Sequence, residues 1–176
     1  MPTEIATFAG GCFWCMVSPF EYMTGVEKVV VGFTGGQEAD PTYEQVAEGL
    51  TEHREAFQIT YDPSLCSYEQ LLDAFWMLID PTDDEGQFSD RGYTYLTAIY
   101  YHNEEQRVKA ELSKDSLDKS GIFDRPIVTD IYPASVFYPA EEQQQDFHKK
   151  NPDVYSVYRS ESGRDEFLEK SWGKPE

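Results

Sequence analysis

Several features that would place a protein in a specialised class are missing from this sequence. No apolar run approaches the roughly 18 residues of a membrane-spanning helix, and the first residues carry no basic patch or apolar signal core. Basic residues are scarce, with 14 Lys and Arg against 33 Asp and Glu, so the formal net charge is −19. Such a charge repels a phosphate backbone. We therefore expect a cytoplasmic protein that binds neither membranes nor nucleic acid.

Cysteine is also scarce, and the chain shows no internal repeat, low-complexity tract or linker. Three cysteines do not make a disulfide framework in a reducing compartment, where they are catalytic, metal-bound or incidental. A chain of 176 residues, 15% of them aromatic, is long enough to bury one substantial core. We expect a single catalytic domain over residues 1–176 that is monomeric and has a loop-rich tail from about residue 151.

Predicted strands and helices alternate along the chain. Strands are predicted at residues 4–9, 26–33, 55–61, 95–101 and 128–132. Helices are predicted at residues 13–23, from the Ser67 capping box onward, from Asn103 to a point before Gly121, and at residues 140–150. This order favours an α/β (α+β) two-layer sandwich, in which helices cover a mixed β-sheet with a ferredoxin-like core. We expect antiparallel pairing of the second and third strands, because no helix separates them.

Two of the cysteines form a Cys-Phe-Trp-Cys motif at residues 12–15. The motif follows the Gly10-Gly11 turn at the end of a strand and begins a helix. Free N–H groups and the helix dipole at such a place favour a thiolate, and we expect them to lower a cysteine pKa from about 8.5 toward 7 or below. The spacing puts both sulfurs on one face, close enough for a disulfide. Such a pair can attack an oxidised substrate with one sulfur and release the product with the other.

Other interpretations of the cysteines stay open on these grounds alone. A Cys-x-x-Cys pair at a helix start also suits a general thiol–disulfide oxidoreductase, two buried structural cysteines, or a protein-binding domain with an aromatic surface. Structural zinc needs four ligands, and no second Cys or His pair stands at ligand spacing. We predict no metal site and no cofactor. Cys66 has no obvious partner and is interpreted as incidental, and His53, His102 and His148 are interpreted as structural or exposed.

Glu55 is the acidic residue with the most unusual predicted environment. It lies in register with Phe57, Ile59 and Tyr61, so its carboxyl group points toward the apolar face of the strand. Burial there raises a carboxyl pKa and keeps the group protonated near neutral pH. The alternative is an exposed glutamate at the end of a strand.

Thr-Phe-Ala-Gly followed by Gly-Cys-Phe-Trp, at residues 7–14, resembles the signature of the class A peptide methionine sulfoxide reductases. The likeness runs through almost the whole chain. It includes a Gly-aromatic-x-Gly-Gly turn, Asp-Pro-Thr-Tyr, His-x-Glu, Asp-Pro, Asp-x-Gly-x-x-Tyr, Phe-Tyr-x-Ala-Glu and a closing Trp-Gly, at residues 32–36, 40–43, 53–55, 62–63, 90–95, 137–141 and 172–173. The joint order of these segments is highly specific.

Two segments depart from the family pattern. After Ala140-Glu141 the family usually has Tyr-His-Gln, whereas this chain has Gln143-Gln144-Gln145. Before His53 it usually has Thr-Gly, whereas this chain has Thr51-Glu52. We expect the first departure to alter the rim of the substrate site and the second to concern a loop.

The resemblance implies reduction of the S epimer of methionine sulfoxide, as a free amino acid and in proteins, for the repair of oxidised proteins. Cys12 is then the nucleophile that becomes a sulfenic acid, and Glu55 is the acid that protonates the sulfoxide oxygen. No cysteine follows Cys66, so the sulfenic acid is resolved by Cys15, by Cys66 or by an external thiol. We favour Cys15 because of its spacing, with thioredoxin or dithiothreitol as the reductant of the Cys12–Cys15 disulfide.

The resemblance also assigns five substrate-binding residues. Tyr43 and Tyr95 match the two tyrosines that hydrogen-bond the sulfoxide oxygen. Phe13 and Trp14 would form the apolar pocket for the S-methyl group, and Asp90 would support the substrate backbone or the local loop. Without the resemblance, Tyr43 and Tyr95 would be interpreted as core residues, and core packing is also the alternative for Phe13 and Trp14.

Overall fold

The computed structural model describes residues 2–172, so Gly173 of the closing Trp-Gly pair lies outside the described residues. Its strands are β1 Glu4–Ala9, β2 Val26–Thr34, β3 Arg54–Tyr61, β4 Gly86–Gln87, β5 Asp90–Arg91, β6 Ala98–Tyr101, β7 Asp130–Pro133 and β8 Tyr138–Pro139. Its α-helices are α1 Val17–Glu21, α2 Tyr43–Ala47, α3 Tyr68–Trp76, α4 Glu104–Lys119, α5 Phe147–Lys150, α6 Pro152–Ser162 and α7 Arg164–Trp172. Short 3₁₀ helices lie at Phe13–Cys15, Tyr93–Tyr95 and Glu142–Gln144.

Six strands form one mixed sheet in the order β7-β6-β1-β3-β2-β8. Only the β6–β7 pair in this sheet is parallel, and the predicted antiparallel pairing of β2 with β3 is confirmed. The central strands β6-β1-β3-β2, with α1 and α3 as the crossovers, have the βαββαβ connectivity and strand order of a ferredoxin-like core. The predicted α+β architecture is therefore confirmed.

Helices α1 and α3 cover one face of this core through aromatic packing. Phe8 of β1 is fully buried, and its ring centroid lies 4.8 Å from that of Phe75, 6.3 Å from that of Phe20 and 5.8 Å from that of Phe57. Helix α3 begins where the sequence predicts, because the Ser67 hydroxyl accepts a hydrogen bond from the backbone N–H of Gln70 in a complete capping box. This packing holds β1 rigidly, so the residues that follow its carboxyl end start from a fixed position.

The C-terminal part of the chain contains the largest error of the sequence analysis. The prediction of a loop-rich tail from about residue 151 is wrong, since α6 and α7 occupy most of this segment. Pro152 suits the first turn of α6, and Gly163, with a φ of 87°, ends that helix in the left-handed region. Val154, Tyr155, Val157 and Tyr158 follow helical spacing in α6, and the sequence analysis overlooked this short signal among the polar residues of the segment.

Four smaller boundaries also differ from prediction. The helix predicted at residues 13–23 is divided into the 3₁₀ helix Phe13–Cys15 and α1, which ends at Glu21. The helix predicted at residues 140–150 is broken into a 3₁₀ turn and α5, because Asp146 adopts a left-handed φ of 55°. Tyr95 belongs to a 3₁₀ helix, so β6 begins only at Ala98. The strand predicted at residues 128–132 lies at Asp130–Pro133. Within residues 2–172, no helix is both long enough and apolar enough to cross a membrane.

Candidate active site

The Cys-Phe-Trp-Cys motif lies directly after the central strand β1. Gly11 has a φ of 86°, and a Cβ atom there would lie 2.6 Å from the Cβ atom of Gln87. Only glycine meets both conditions without strain. The turn places Cys12 at the start of the 3₁₀ helix Phe13–Cys15, beyond the carboxyl end of β1 and beside the amino end of the antiparallel strand β3.

Cys12 and Cys15 are both buried, with exposed fractions of 4% and 1%, and their side chains are hydrogen-bonded to each other. Burial, followed by the hydrogen bond to Cys15, raises the pKa of the Cys12 thiol well above its ordinary value. The same hydrogen bond lowers the pKa of Cys15 to about 7. The pair therefore loses one proton near neutral pH and retains the other between the two sulfurs.

The predicted lowering of the Cys12 pKa by a helix start is thus wrong. The helix that follows Cys12 has only three residues and is of the 3₁₀ type, so its dipole is small, and burial outweighs it. The pKa of Cys15 does fall to about 7, but the largest cause is its neighbour Cys12.

Glu55 lies on β3 with 1% of its surface exposed, as its strand register predicts. Its Oε1 atom accepts a hydrogen bond from the backbone N–H of Phe13 at 3.2 Å, and its side chain is hydrogen-bonded to Tyr95. Burial, which outweighs these two hydrogen bonds, raises the pKa of Glu55 to about 8. The predicted burial and raised pKa are confirmed, so the carboxyl group is mostly protonated at neutral pH and can donate a proton.

Aromatic side chains form a wall beside the cysteines. The ring centroid of Tyr43 lies 6.0 Å from that of Phe13 and 5.8 Å from that of Trp14. Trp14 also stacks on Phe147 at 3.9 Å, and its Nε1–H donates a hydrogen bond to Oε1 of Gln144 at 3.0 Å. Phe13 and Trp14 therefore lie where an apolar pocket beside Cys12 would need them.

The two tyrosines of interest lie near the carboxyl group of Glu55. Burial, followed by the charge of Glu55, raises the pKa of both Tyr43 and Tyr95. Their hydroxyl groups therefore remain protonated and available as donors. Thr42 caps α2 through the N–H of Gln45, which fixes the backbone at Tyr43.

Asp90 meets the C-terminal helices at this site. The Tyr158 hydroxyl donates a hydrogen bond to Oδ2 of Asp90, and the Tyr158 ring packs edge-on against Trp14 at 5.9 Å. Burial raises the pKa of Asp90, against the effect of that hydrogen bond. The structure thus brings together all eight residues that the sequence analysis selected.

The sequence analysis missed two arginines of the C-terminal helices. Arg159 donates a hydrogen bond from Nη1 to the backbone oxygen of Cys15 at 3.0 Å. Arg164 is 1% exposed and donates to the backbone oxygens of Gly10 and Leu78. Both arginines lie in a polar stretch without a motif, so no pattern in the sequence signals their position.

The remaining candidates lie in structural surroundings. Cys66 is buried in the main core just before α3, and burial raises its pKa. His53 contacts the backbone of Gly36 and Glu38, while His102 and His148 contact Thr7 and Glu21. Across residues 2–172, no group of three or more His, Cys, Asp or Glu side chains is arranged to hold a metal ion.

A family model described as peptide methionine sulfoxide reductase matches residues 4–176 of the chain. The chain belongs to the peptide methionine sulfoxide reductase family. It is therefore an oxidoreductase, and the general thiol–disulfide oxidoreductase of the sequence analysis is not favoured.

Relatives with solved structures or curated names agree with this family assignment. The peptide methionine sulfoxide reductase MsrA of Bacillus licheniformis is 58% identical over 171 residues, which are 97% of this chain and 94% of that protein. MsrA of Bacillus subtilis strain 168 is 58% identical over 170 residues, which are 97% of this chain and 96% of that protein. The crystal structure of reduced Mxr1 from Saccharomyces cerevisiae is 28% identical with a TM-score of 0.80, over 86% of this chain and 87% of that one.

Of the two departures from the family pattern, the one at residues 143–145 lies nearer to the site. Gln144 holds the indole of Trp14, as described above. Gln145 instead fixes the backbone, since its side chain bonds both the N–H and the C=O of Val31. The departure therefore touches the aromatic wall directly through Gln144, as predicted for the rim of the site. Glu52, the other departure, donates its backbone N–H to Glu38 in an exposed loop.

Proposed function

We propose that this chain reduces the S epimer of methionine sulfoxide to methionine, in proteins and as the free amino acid. The observation that carries the proposal is a protonated carboxyl group, Glu55, held beside a cysteine pair that loses a proton near neutral pH. A sulfoxide is a poor electrophile until its oxygen is protonated, so its reduction needs both an acid and a thiolate. Repair of oxidised proteins is the role that follows.

The first step reduces the substrate by two electrons. The shared proton moves to Cys15, and the Cys12 thiolate attacks the sulfoxide sulfur while Glu55 protonates the sulfoxide oxygen. The oxygen then passes to the Cys12 sulfur, which becomes a sulfenic acid, and methionine leaves. Tyr43 and Tyr95 bind the oxygen as it gains negative charge, which stabilises the transition state.

The aromatic wall supports binding of the rest of the substrate. Phe13 and Trp14 offer an apolar surface to the S-methyl group, and Asp90 lies where it can accept a hydrogen bond from the substrate backbone after release from Tyr158. When the methyl group, the oxygen and the substrate backbone are each held at a separate place, only one epimer of the sulfur satisfies all three contacts.

The second step regenerates Cys12. Cys15 first gives up the proton that it received in the first step. Its thiolate then attacks the sulfenic sulfur, an S–S bond forms, and the S–O bond breaks as hydroxide leaves and takes up that proton to become water. Thioredoxin, the usual partner for such an exchange, then reduces the Cys12–Cys15 disulfide with its own dithiol, and dithiothreitol serves in its place. Yeast Mxr1 has been solved in complex with Trx2. The two electrons that reduce the sulfoxide come from the cysteines and then from the external dithiol, so the reaction needs no bound cofactor.

We also propose that residues 1–176 act as one catalytic domain, as a monomer in the cytoplasm. Three free cysteines support a reducing compartment. A cytoplasmic thioredoxin system would supply the electrons there.

The test is a reduction assay with a peptide that contains racemic methionine sulfoxide, with dithiothreitol in excess. We expect the reaction to stop near half conversion, with the R epimer left over in chiral chromatography. Cys12→Ser is the matched control for background reduction. Conversion of both epimers would contradict the stereochemical proposal. No conversion, together with rapid reduction of insulin disulfides, would instead show a general thiol–disulfide oxidoreductase.

A further inference from the structure

We propose that Arg159 and Arg164 of the C-terminal helices are positioning residues that stabilise Cys15 as a thiolate. The thiolate is the form in which Cys15 attacks the Cys12 sulfenic acid. The proposal rests on the reductase function above, and deepens it by assigning the C-terminal helices to the second chemical step.

Arg164 is a cation buried beneath the cysteine motif. Its guanidinium donates to the backbone oxygen of Gly10 at 3.1 Å and to that of Leu78 at 2.5 Å, and lies 4.7 Å above the ring of Phe88. A further N–H group lies 3.4 Å from the Met16 sulfur. Its contacts thus fix the guanidinium against the turn that precedes Cys12, where low polarity strengthens the field of its charge.

Arg159 is hydrogen-bonded to the backbone of Cys15 itself. Its Nη1 atom donates to the Cys15 backbone oxygen at 3.0 Å and to the Tyr155 hydroxyl at 3.1 Å. Its other edge forms an ion pair with Asp165, at 2.7 Å from Nη2. The guanidinium is therefore held from both sides with one edge toward the resolving cysteine.

The two arginines supply the positive charge among the titratable groups that act on Cys15. Those groups are Cys12, Glu55, Asp90, Tyr155, Tyr158, Arg159 and Arg164. Glu55 is mostly protonated at neutral pH and so carries little charge, while Asp90 opposes a thiolate. The hydrogen bond from Cys12 lowers the Cys15 pKa most, and the charges of Arg164 and Arg159 lower it further against the effect of burial.

The relative importance of the groups that stabilise the Cys15 thiolate changes during the reaction. Before the first step, the thiol of Cys12 donates the hydrogen bond that most favours a Cys15 thiolate. After that step Cys12 is a sulfenic acid, so its thiol no longer donates this hydrogen bond, and Cys15 holds the proton that the two thiols shared. The fixed charges of Arg159 and Arg164 remain, so they matter most at the moment when Cys15 must attack.

The decisive variant is Arg159→Gln, because Arg159 lies near the surface and its loss leaves the core intact. Arg159→Lys keeps the charge, and Arg107→Gln removes a cation from the distant helix α4 with the same change in net charge. Ultraviolet absorbance of the thiolate, measured against pH on the reduced protein, needs no sulfoxide. We expect Arg159→Gln to raise the first thiol midpoint by about one pH unit, and both other variants to keep the wild-type midpoint.

The second readout is the rate of disulfide formation after one equivalent of sulfoxide, followed by quenching and mass spectrometry. In Arg159→Gln we expect this rate to fall about tenfold near pH 6 and to approach the wild-type rate as the pH rises and Cys15 ionises in both proteins. A midpoint equal to that of Arg107→Gln, or a slowing that is the same at every pH, would overturn the proposal. A wild-type protein that reduces no sulfoxide would refute the proposed function, while the absorbance titration would still decide the arginine effect.

Discussion

The sheet and the C-terminal helices both reach the cysteine pair, but they bring groups of different charge. From β3 comes Glu55, whose pKa is set mainly by burial and by Phe13, Asp90, Tyr95 and Cys15, none of which is a cation. From α6 and α7 come two guanidinium groups, which act on Cys15.

This separation lets one small site hold a protonated acid and a thiolate at the same pH. A cation beside Glu55 would lower its pKa and remove the transferable proton, whereas a cation beside Cys15 favours the charged sulfur. The variants that follow test each side of this division, beginning with the nucleophile Cys12 and the acid Glu55.

Cys12→Ser should have the largest effect, with complete loss of sulfoxide reduction. A serine hydroxyl is hardly ionised near neutral pH and is a poor nucleophile for sulfur. Product formation by chromatography is the measurement, and Cys66→Ser, which alters a core cysteine away from the motif, should retain wild-type activity. Turnover by Cys12→Ser would remove the nucleophile from the account.

Glu55→Gln should slow the chemical step by about 10²–10⁴-fold, because the amide keeps a donor but has no transferable proton. Single-turnover reduction is the measurement. The wild-type rate should also fall as pH rises through about 8, where Glu55 loses its proton. A loss smaller than about threefold would assign the proton to water or to a tyrosine.

The same variant should gain stability as its activity falls. The pKa of Glu55 is raised from 4.5 to about 8 by folding, so the native state holds a proton that the unfolded state has lost between those values. Wild-type stability therefore declines with rising pH in that window, by at most about 1.4 kcal/mol per pH unit from this group. Glu55→Gln should lack this decline in denaturant titrations, and an equal decline in both proteins would show that Glu55 titrates normally.

On the side of the C-terminal helices, Arg164→Met should lower the free energy of unfolding by about 3 kcal/mol, since two buried carbonyl groups lose a charged donor. Arg107→Met, on the surface of α4, should cost about 1 kcal/mol or less. Urea denaturation compares the two. Equal losses would mean that the C-terminal helices are held to the sheet by something other than Arg164.

Gln144→Leu should have the smallest effect, on substrate binding. Loss of the acceptor for the Trp14 indole is worth about 1 kcal/mol, so we expect KM for a sulfoxide peptide to rise about fivefold with kcat nearly unchanged. Gln143→Leu changes an exposed neighbour and should leave both constants unaltered. A lower kcat at constant KM would place Gln144 in the chemical step.

Local pattern was enough to predict the parts of the site that the sheet carries. Alternation along β3 predicted the burial of Glu55, and side-chain caps predicted the starts of α3 and α4 at Ser67 and Asn103. Such signals depend on neighbours within a few positions of the chain.

The rest depends on contacts between distant segments, which no local pattern contains. The direction of the Cys12 pKa shift was missed because burial, a property of the folded molecule, outweighs its helical position. Arg159 lies 144 positions from Cys15 in sequence and Arg164 lies 154 from Gly10, in helices whose polar composition resembles that of a loop. The contact of Gln144 with Trp14 spans 130 positions.

The most direct test of the account is the identity of the disulfide that forms during a single turnover. One equivalent of the S-sulfoxide is added to reduced protein, free thiols are alkylated, and digested peptides are analysed by mass spectrometry without reduction. We predict that the peptide with Cys12 and Cys15 lacks both thiol hydrogens and resists alkylation, while Cys66 is alkylated in full. A peptide pair joined through Cys12 and Cys66, or a fully alkylated Cys15 after product release, would contradict the account.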